Sequence, residues 1–277
     1  MISFDFNEIG AFLGGRAPQS HIEGIVQHGQ LRIPIRFYYR TESPILLIHY
    51  NGAVDRQTKP SGIVFQRSTW ADRFPHPILF IADPSLLEEK NLTLGWGQTP
   101  LSQPYFPEVA AKIAQKVGEV VGATNRIHIG SSAGGFQAAS AALLDRPGAS
   151  AWVNNAQFDW TKYESTRAVE EVVALLGYGS DSELTKQFPH RTSVFNLAQQ
   201  TRAEINIRYV LNSESPMDVA RQLPVWKELS SLPAIASSEV LYRDPEAGHN
   251  PLSKERWFEE LENFTQLVLE ATKQSQS

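Results

Sequence analysis

The sequence predicts an α/β fold: a mostly parallel central sheet of about eight strands, with helices on both faces and an inserted cap. Three observations predict it. Short apolar runs alternate with stretches of helical periodicity through most of the chain, two strand-like runs near the start are joined by a tight turn, and one interval between strands is too long for a simple crossover. With 42 % hydrophobic and 20 % charged residues the composition is ordinary for a globular protein, so 277 residues can bury a sizeable core.

Residues 21–28 (HIEGIVQH) and 31–39 (LRIPIRFYY) read as an antiparallel hairpin closed by Gly29 and Gln30. Further strands are predicted over 44–50, 77–82, 126–130, 149–153, 205–211 and 239–242, and helices over 107–121, 133–145, 216–229 and 252–272. Strands alternating with helices of that length imply βαβ units and parallel pairing. No repeat or low-complexity linker divides the chain, so residues 1–277 read as one domain. Its exception lies between Val153 and Ile205, where a helix over 166–176 and the aromatics Phe158, Trp160, Tyr163, Tyr178, Phe188 and Phe195 suggest a cap or lid at about 155–203, with these aromatics as its private core.

Several function classes are excluded or unsupported. Without cysteine there is no disulfide, thiolate metal site or cysteine nucleophile. A net charge of −5 with no run of Lys or Arg gives no reason to bind nucleic acid or an anionic membrane. No stretch approaches the ~18 apolar residues of a membrane helix, and no basic, then apolar leader is present, so a cytoplasmic protein is expected. H-E-x-x-H, P-loop and dinucleotide-binding patterns are all missing, so neither metal nor cofactor is expected.

The most informative passage is RIHIGSSAGGFQAASAALL. Gly130-Ser131-Ser132-Ala133-Gly134 matches G-x-S-x-G between an apolar strand and an Ala-rich helix, which is the context of a nucleophile elbow. A hydroxyl at the apex of so tight a turn needs small residues two positions before and after it. That spacing selects Ser132 over Ser131.

A serine needs a base, and the base an orienting acid, which follow in the order Ser, acid, His. Only His190 and His249 lie beyond Ser132; His190 falls in the cap, whereas His249 follows the last predicted strand and precedes the last helix. The acid belongs after the strand ending near Leu211, in NSESPMD. Asp218 stands three residues after Ser215, with Pro216 at the first helical position, and so has an alternative job in a capping box. Glu214 has none and is favoured, with Asp244 a third candidate.

One oxyanion donor is expected from the Ala133 N–H. The other is expected from the loop after PILLIHY, where Asn51, Gly52 and Ala53 follow the strand and Gly52 lets the backbone turn its N–H inward.

Together HYNGAVD, IADPSL, LGWG, IHIGSSAGGFQA and the late AGHNP resemble the α/β-hydrolase superfamily, over roughly residues 20–272. HYNGAVD, LGWG and GSSAGG are similar to a branch with accessory secretory-system hydrolase-like proteins and capsule or glycan O-acetyltransferases. The resemblance implies Ser132 as nucleophile, His249 as base, and oxyanion donors at Asn51 to Ala53 with Ala133. The sequence departs from the pattern at the acid, where Glu214 or Ser215 stands at the usual Asp position.

The expected activity is therefore hydrolysis of a small-molecule carboxylic ester through an acyl-Ser132 intermediate. One alternative is O-acyl transfer to a surface polysaccharide or glycan, with acetyl-CoA as a possible donor and Trp96, Trp160 and Tyr163 as a sugar-stacking platform. Another is a non-catalytic hydrolase-like scaffold that binds a glycan or a protein.

Overall fold

Every residue of Ile45-Leu-Leu-Ile-His-Tyr50 is buried, as a strand covered on both faces requires. Its pleat divides the core. Leu46, Ile48 and Tyr50 join one apolar cluster, while Ile45 and Leu47 join a second on the opposite face. In the computed structural model, which describes all residues except 15–20, 41, 90, 276 and 277, this strand lies inside a nine-stranded sheet.

The strands are β1 (Ile2–Asp5), β2 (His21–His28), β3 (Leu31–Tyr38), β4 (Ile45–Tyr50), β5 (Ile78–Ile81), β6 (Asn125–Ser131), β7 (Ala149–Asn154), β8 (Ile205–Asn212) and β9 (Ile235–Tyr242), in the order β1-β2-β3-β5-β4-β6-β7-β8-β9. Only β3 runs antiparallel to its neighbours. Strand β1 is the ninth and was not expected, because four residues with one buried side chain carry no readable pattern. The edge strand β9 begins four residues before the expected Glu239, since IASSE lacks an apolar run.

The helices are α1 (Ile9–Leu13), α2 (Ser85–Glu88), α3 (Phe106–Val121), α4 (Ala133–Leu144), α5 (Thr166–Leu175), α6 (Asp181–Gln187), α7 (Pro189–Thr192), α8 (Val194–Thr201), α9 (Leu223–Ser230) and α10 (Lys254–Ser275). Residues from α3 and α4 cover the first core face, and Trp257, Leu261 and Phe264 of α10 cover the second. The helix expected over 216–229 is interrupted by a π-helical turn at Asp218–Gln222. No helix among the described residues is long and apolar enough to cross a membrane.

Helices α5 to α8 occupy the long interval between β7 and β8. A private aromatic core does not form there. Val169, Val172, Leu184, Val194 and Leu197 belong to the same buried cluster as Ile207 and Tyr209 of β8, and Phe158 stacks on Trp226 at 5.3 Å. The segment is therefore packed onto the body of the fold. Below the sheet's C-terminal edge, a buried polar network ties elements together: Tyr50 Oη meets His128 Nδ1 at 2.9 Å, His128 Nε2 meets Asp145 Oδ2 at 2.9 Å, and Arg126 Nε donates to the same carboxylate at 2.8 Å.

Candidate active site

Strand β6 ends at Ser131 and α4 starts at Ala133, which leaves Ser132 alone at the turn with φ 54° and ψ −126°. A non-glycine residue there is strained, and close packing sustains it. A Cβ at Gly130 would lie 2.0 Å from the Gly134 carbonyl oxygen, and one at Gly134 would lie 2.8 Å from that of Tyr50. The spacing of the motif thus reflects how tightly β6, α4 and the end of β4 converge.

His249 Nε2 lies 2.9 Å from Ser132 Oγ, and His249 Nδ1 lies 2.7 Å from Asp218 Oδ2. A carboxylate only accepts, so Nδ1 carries the hydrogen and Nε2 is free to accept the serine's proton. Asp218 is fully buried, and Ser215 Oγ donates to its Oδ2 at 2.6 Å. Glu214, the favoured acid, requires correction. It accepts from Arg243 Nε, a residue 78 % exposed at its side chain, and does not touch the histidine. Asp244 instead accepts the Ala247 N–H through its side chain and stays in its own turn.

Three buried asparagines hold the histidine loop. Asn155 Nδ2 donates to the His249 and Asn250 carbonyls at 3.1 and 3.0 Å, while its Oδ1 accepts the Asn212 N–H at 2.9 Å. Asn212 Nδ2 donates to the Asp244 and Gly248 carbonyls at 2.7 and 2.8 Å. Asn154 Oδ1 accepts the Leu252 N–H at 2.8 Å. The ends of β7 and β8 thereby fix the loop that carries His249.

The oxyanion side is arranged differently from the expectation. Asn51 turns inward to hold structure: Nδ2 donates to the Gly52 carbonyl at 2.9 Å and Oδ1 accepts the Asp83 N–H at 2.8 Å. Gly52 stands beside Ser132, since a Cβ there would be 3.8 Å from Ser132 Cβ. Its N–H, however, is already given to Gln66 Oε1 at 3.1 Å. Among the described residues, the Ala133 and Ala53 N–H groups have no hydrogen-bond partner. Ala133 directly follows Ser132, and Ala53 follows Gly52, which stands beside it.

Trp96 and Trp160 are fully buried and stack on each other at 5.3 Å, with Tyr163 edge-on to Trp96 at 5.6 Å. The two tryptophans offer no open face to a sugar, which corrects the stacking expectation; Tyr163 alone keeps partial exposure.

Sequence reasoning missed Gln157, Asn154, Asn155, Asn212 and Arg67. Gln157 Nε2 donates to Ser132 Oγ at 3.2 Å. Arg67 lies 3.9 Å over the Trp257 ring, donates to Ser131 Oγ at 3.3 Å and meets His49 Nε2 at 3.3 Å. Burial lowers its guanidinium to about 10. Burial first, and the Arg67 charge second, hold His49 well below the usual histidine range. Ser131 is thus committed to Arg67. The run VNNAQF holds Asn154, Asn155 and Gln157, and no spacing rule singles it out, nor does one single out Asn212 in LNSES.

The sheet order, with one antiparallel strand near one end, and the serine at the turn after β6 decide the architecture. It is the α/β-hydrolase fold. The chain is similar in three dimensions to acetyl xylan esterase 1 from Thermoanaerobacterium sp. JW/SL YS485, at 14 % identity and TM-score 0.55, over 95 % of this chain and 91 % of that one. It also matches dipeptidyl peptidase 4 of Porphyromonas gingivalis at 10 % identity, with TM-score 0.62 over 94 % of this chain and 37 % of that one. For the Pyrococcus horikoshii acylaminoacyl peptidase the identity is 10 % and the TM-score 0.57, over 89 % and 40 %. The chain therefore spans about two fifths of the length of either peptidase and nearly all of the esterase. At such identities the likeness concerns the fold alone. No protein-family model matches the sequence, and no curated protein does.

Proposed function

We propose that the protein is a serine hydrolase that cleaves carboxylic esters of small acyl groups through an acyl-Ser132 intermediate. The observation that carries this reading is the continuous contact from Ser132 Oγ through His249 to Asp218, at 2.9 and 2.7 Å. In acylation, Ser132 Oγ bonds to the ester carbonyl carbon, its proton passes to His249 Nε2, and the carbonyl π pair moves to oxygen. The Ala133 and Ala53 N–H groups receive that oxyanion. Collapse breaks the bond to the alcohol oxygen, which takes the proton from His249; water then repeats the sequence and frees the acid. No cofactor enters this chemistry.

Support for a small acyl group comes from the dense packing behind Gln157. Trp96 donates to Gln157 and stacks on Trp160, and both rings are fully buried. Residues 155–203 are the proposed cap, and Trp160 belongs to its first turn. Water is favoured over a sugar hydroxyl as acceptor, because His249 keeps 30 % of its side chain exposed and the stacking platform that transfer called for is buried. The neighbouring acetyl xylan esterase supports the same chemistry by analogy.

Labelling of the folded protein with a fluorophosphonate, followed by peptide mapping, tests this reading; an adduct on Ser132 is expected, and no adduct overturns it. p-Nitrophenyl acetate turned over faster than the octanoate ester supports the small acyl group. Acetyl appearing on an added oligosaccharide, rather than as free acetate, would replace hydrolysis with transfer.

A further inference from the structure

We infer that Gln157 is a catalytic residue: its carboxamide, locked in one orientation by the Trp96 indole, donates to Ser132 Oγ and directs the serine's proton to His249. The inference rests on the serine-hydrolase reading above.

Gln157 is fully buried between two partners, receiving the Trp96 Nε1–H at Oε1 and donating from Nε2 to Ser132 Oγ at 3.2 Å. An indole N–H only donates, so the oxygen of the amide must face Trp96 and its nitrogen must face the serine. Ser132 Oγ consequently accepts on that side. Its own single proton is left to point at His249 Nε2, 2.9 Å away. From the indole to Asp218 every link then runs in one sense: Trp96 N–H to Gln157, Gln157 N–H to Ser132, Ser132 O–H to His249, and His249 N–H to Asp218.

Two features keep the amide from turning. The backbone N–H of Gln157 donates to the Ser132 carbonyl at 3.2 Å, so main chain and side chain both engage the same residue. That close approach depends on Gly135, where a Cβ would sit 2.5 Å from Ala156 Cβ. Trp96 has φ 51°, and the next residue, Gly97, donates its N–H to Asp83 Oδ2 at 2.8 Å. Asp83 also accepts from Ser85 and Gln137, and its burial raises its carboxyl against the lowering effect of the Ser85 and Gly97 bonds. The IADPSL and LGWG segments thereby form one support for the indole, a role no reading of the triad gives them.

The donor acts where charge develops. When the Ser132 O–H bond breaks, its electron pair stays on Oγ as the proton lands on His249, and the Gln157 N–H faces that growing charge while the other lone pair attacks the acyl carbon. In deacylation the Oγ–carbon bond breaks, the pair returns to Oγ, and His249 gives the proton back. The same N–H stabilises both departures.

The test compares wild type with Gln157→Leu, Gln157→Glu and Trp96→Phe chains, using fluorophosphonate labelling rates and p-nitrophenyl acetate turnover, with thermal unfolding measured on each. Losing a donor to a charged oxygen predicts about 10- to 100-fold slower labelling for Gln157→Leu, with the loss in kcat rather than KM. Trp96→Phe loses one donor hydrogen remote from the serine and predicts a smaller drop in the same direction. Gln157→Glu reverses the link, because a carboxylate accepts; it predicts slower labelling and an acid limb of the pH–rate profile moved to higher pH, since the new charge favours imidazolium. Wild type that labels on Ser132 while Gln157→Leu or Gln157→Glu labels at the same rate, or Gln157→Glu with an unmoved profile, overturns the inference alone. Failure of wild type to label overturns the serine reading and this inference together.

Discussion

Ser215 Oγ donates at 2.6 Å to Asp218 Oδ2, the same oxygen that accepts His249 Nδ1–H at 2.7 Å, while Oδ1 of that buried carboxylate has no partner among the described residues. The S-P-M-D segment therefore works in the reverse of a capping box: the serine serves the carboxylate, and the carboxylate faces the histidine. Asp218→Asn keeps the shape and removes the charge that stabilises imidazolium, so kcat/KM for p-nitrophenyl acetate is expected to fall about 10³- to 10⁴-fold. Glu214→Gln, which removes only an exposed pairing with Arg243, is expected to stay within about twofold of wild type. The opposite ranking would hand the acid role to Glu214.

Asn155, at φ 45°, couples the end of β7, the neighbour of the Ser132 strand, to the His249 loop. Asn155→Ala removes the amide that joins the His249 and Asn250 carbonyls to the buried Asn212 N–H, and it puts alanine where the left-handed backbone suits asparagine better, for about 3 kcal/mol of lost stability in urea unfolding. Asn155→Gly relieves the backbone conformation but restores no hydrogen bond. The glycine variant is thus expected to be the more stable of the two, while both lose kcat about tenfold as His249 drifts from Ser132. Full kcat in the glycine variant would mean that the loop positions itself.

How far the sequence reaches depends on how local each cause is. The elbow was legible because its demands are steric and fall within five consecutive residues, and His249 because it sits between the last strand and the last helix. The acid was not. Choosing between Glu214 and Asp218 depends on which carboxylate the π-helical turn at Asp218–Gln222 carries inward, and no periodicity announces a π-turn. Gln157 and the asparagines are invisible for a related reason: each joins strand ends far apart in the chain, so their partners exist only after the sheet has formed. Trp96 and Trp160 failed as a sugar platform because composition reports aromatic content and says nothing of which faces are already stacked.

Asp145 makes the buried network on the far side of β6 sensitive to acid. Burial raises its carboxyl, but hydrogen bonds and charge from His128 and then Arg126 outweigh that, and the net shift is downward. A carboxyl lowered by folding contributes fully above its unfolded value, near 3.9, and loses that contribution as pH falls through the lowered folded value. The stability gap between wild type and Asp145→Asn is therefore expected to be largest above about pH 4 and to shrink steadily below it. Urea midpoints measured from pH 6 downward check this, and a gap that widens in acid would contradict the assignment.

The approach of Gly135 to Ala156 gives a test of position independent of the chemistry of Gln157. Adding a Cβ at 135 drives it to 2.5 Å from Ala156 Cβ, which forces the 155–157 loop outward and carries the Gln157 amide away from Ser132. Gly135→Ala alone is expected to cost about 1–3 kcal/mol by overpacking and to lower kcat along with the labelling rate. Ala156→Gly made in the same chain removes the nearer collision but leaves the 156 Cα 2.9 Å from the new methyl group, so the double variant should recover part of both losses, with a coupling energy above about 0.5 kcal/mol. Recovery of stability without recovery of labelling would separate the packing of this loop from its catalytic placement, and would argue that the amide reaches Ser132 by a route other than the Gly135 contact.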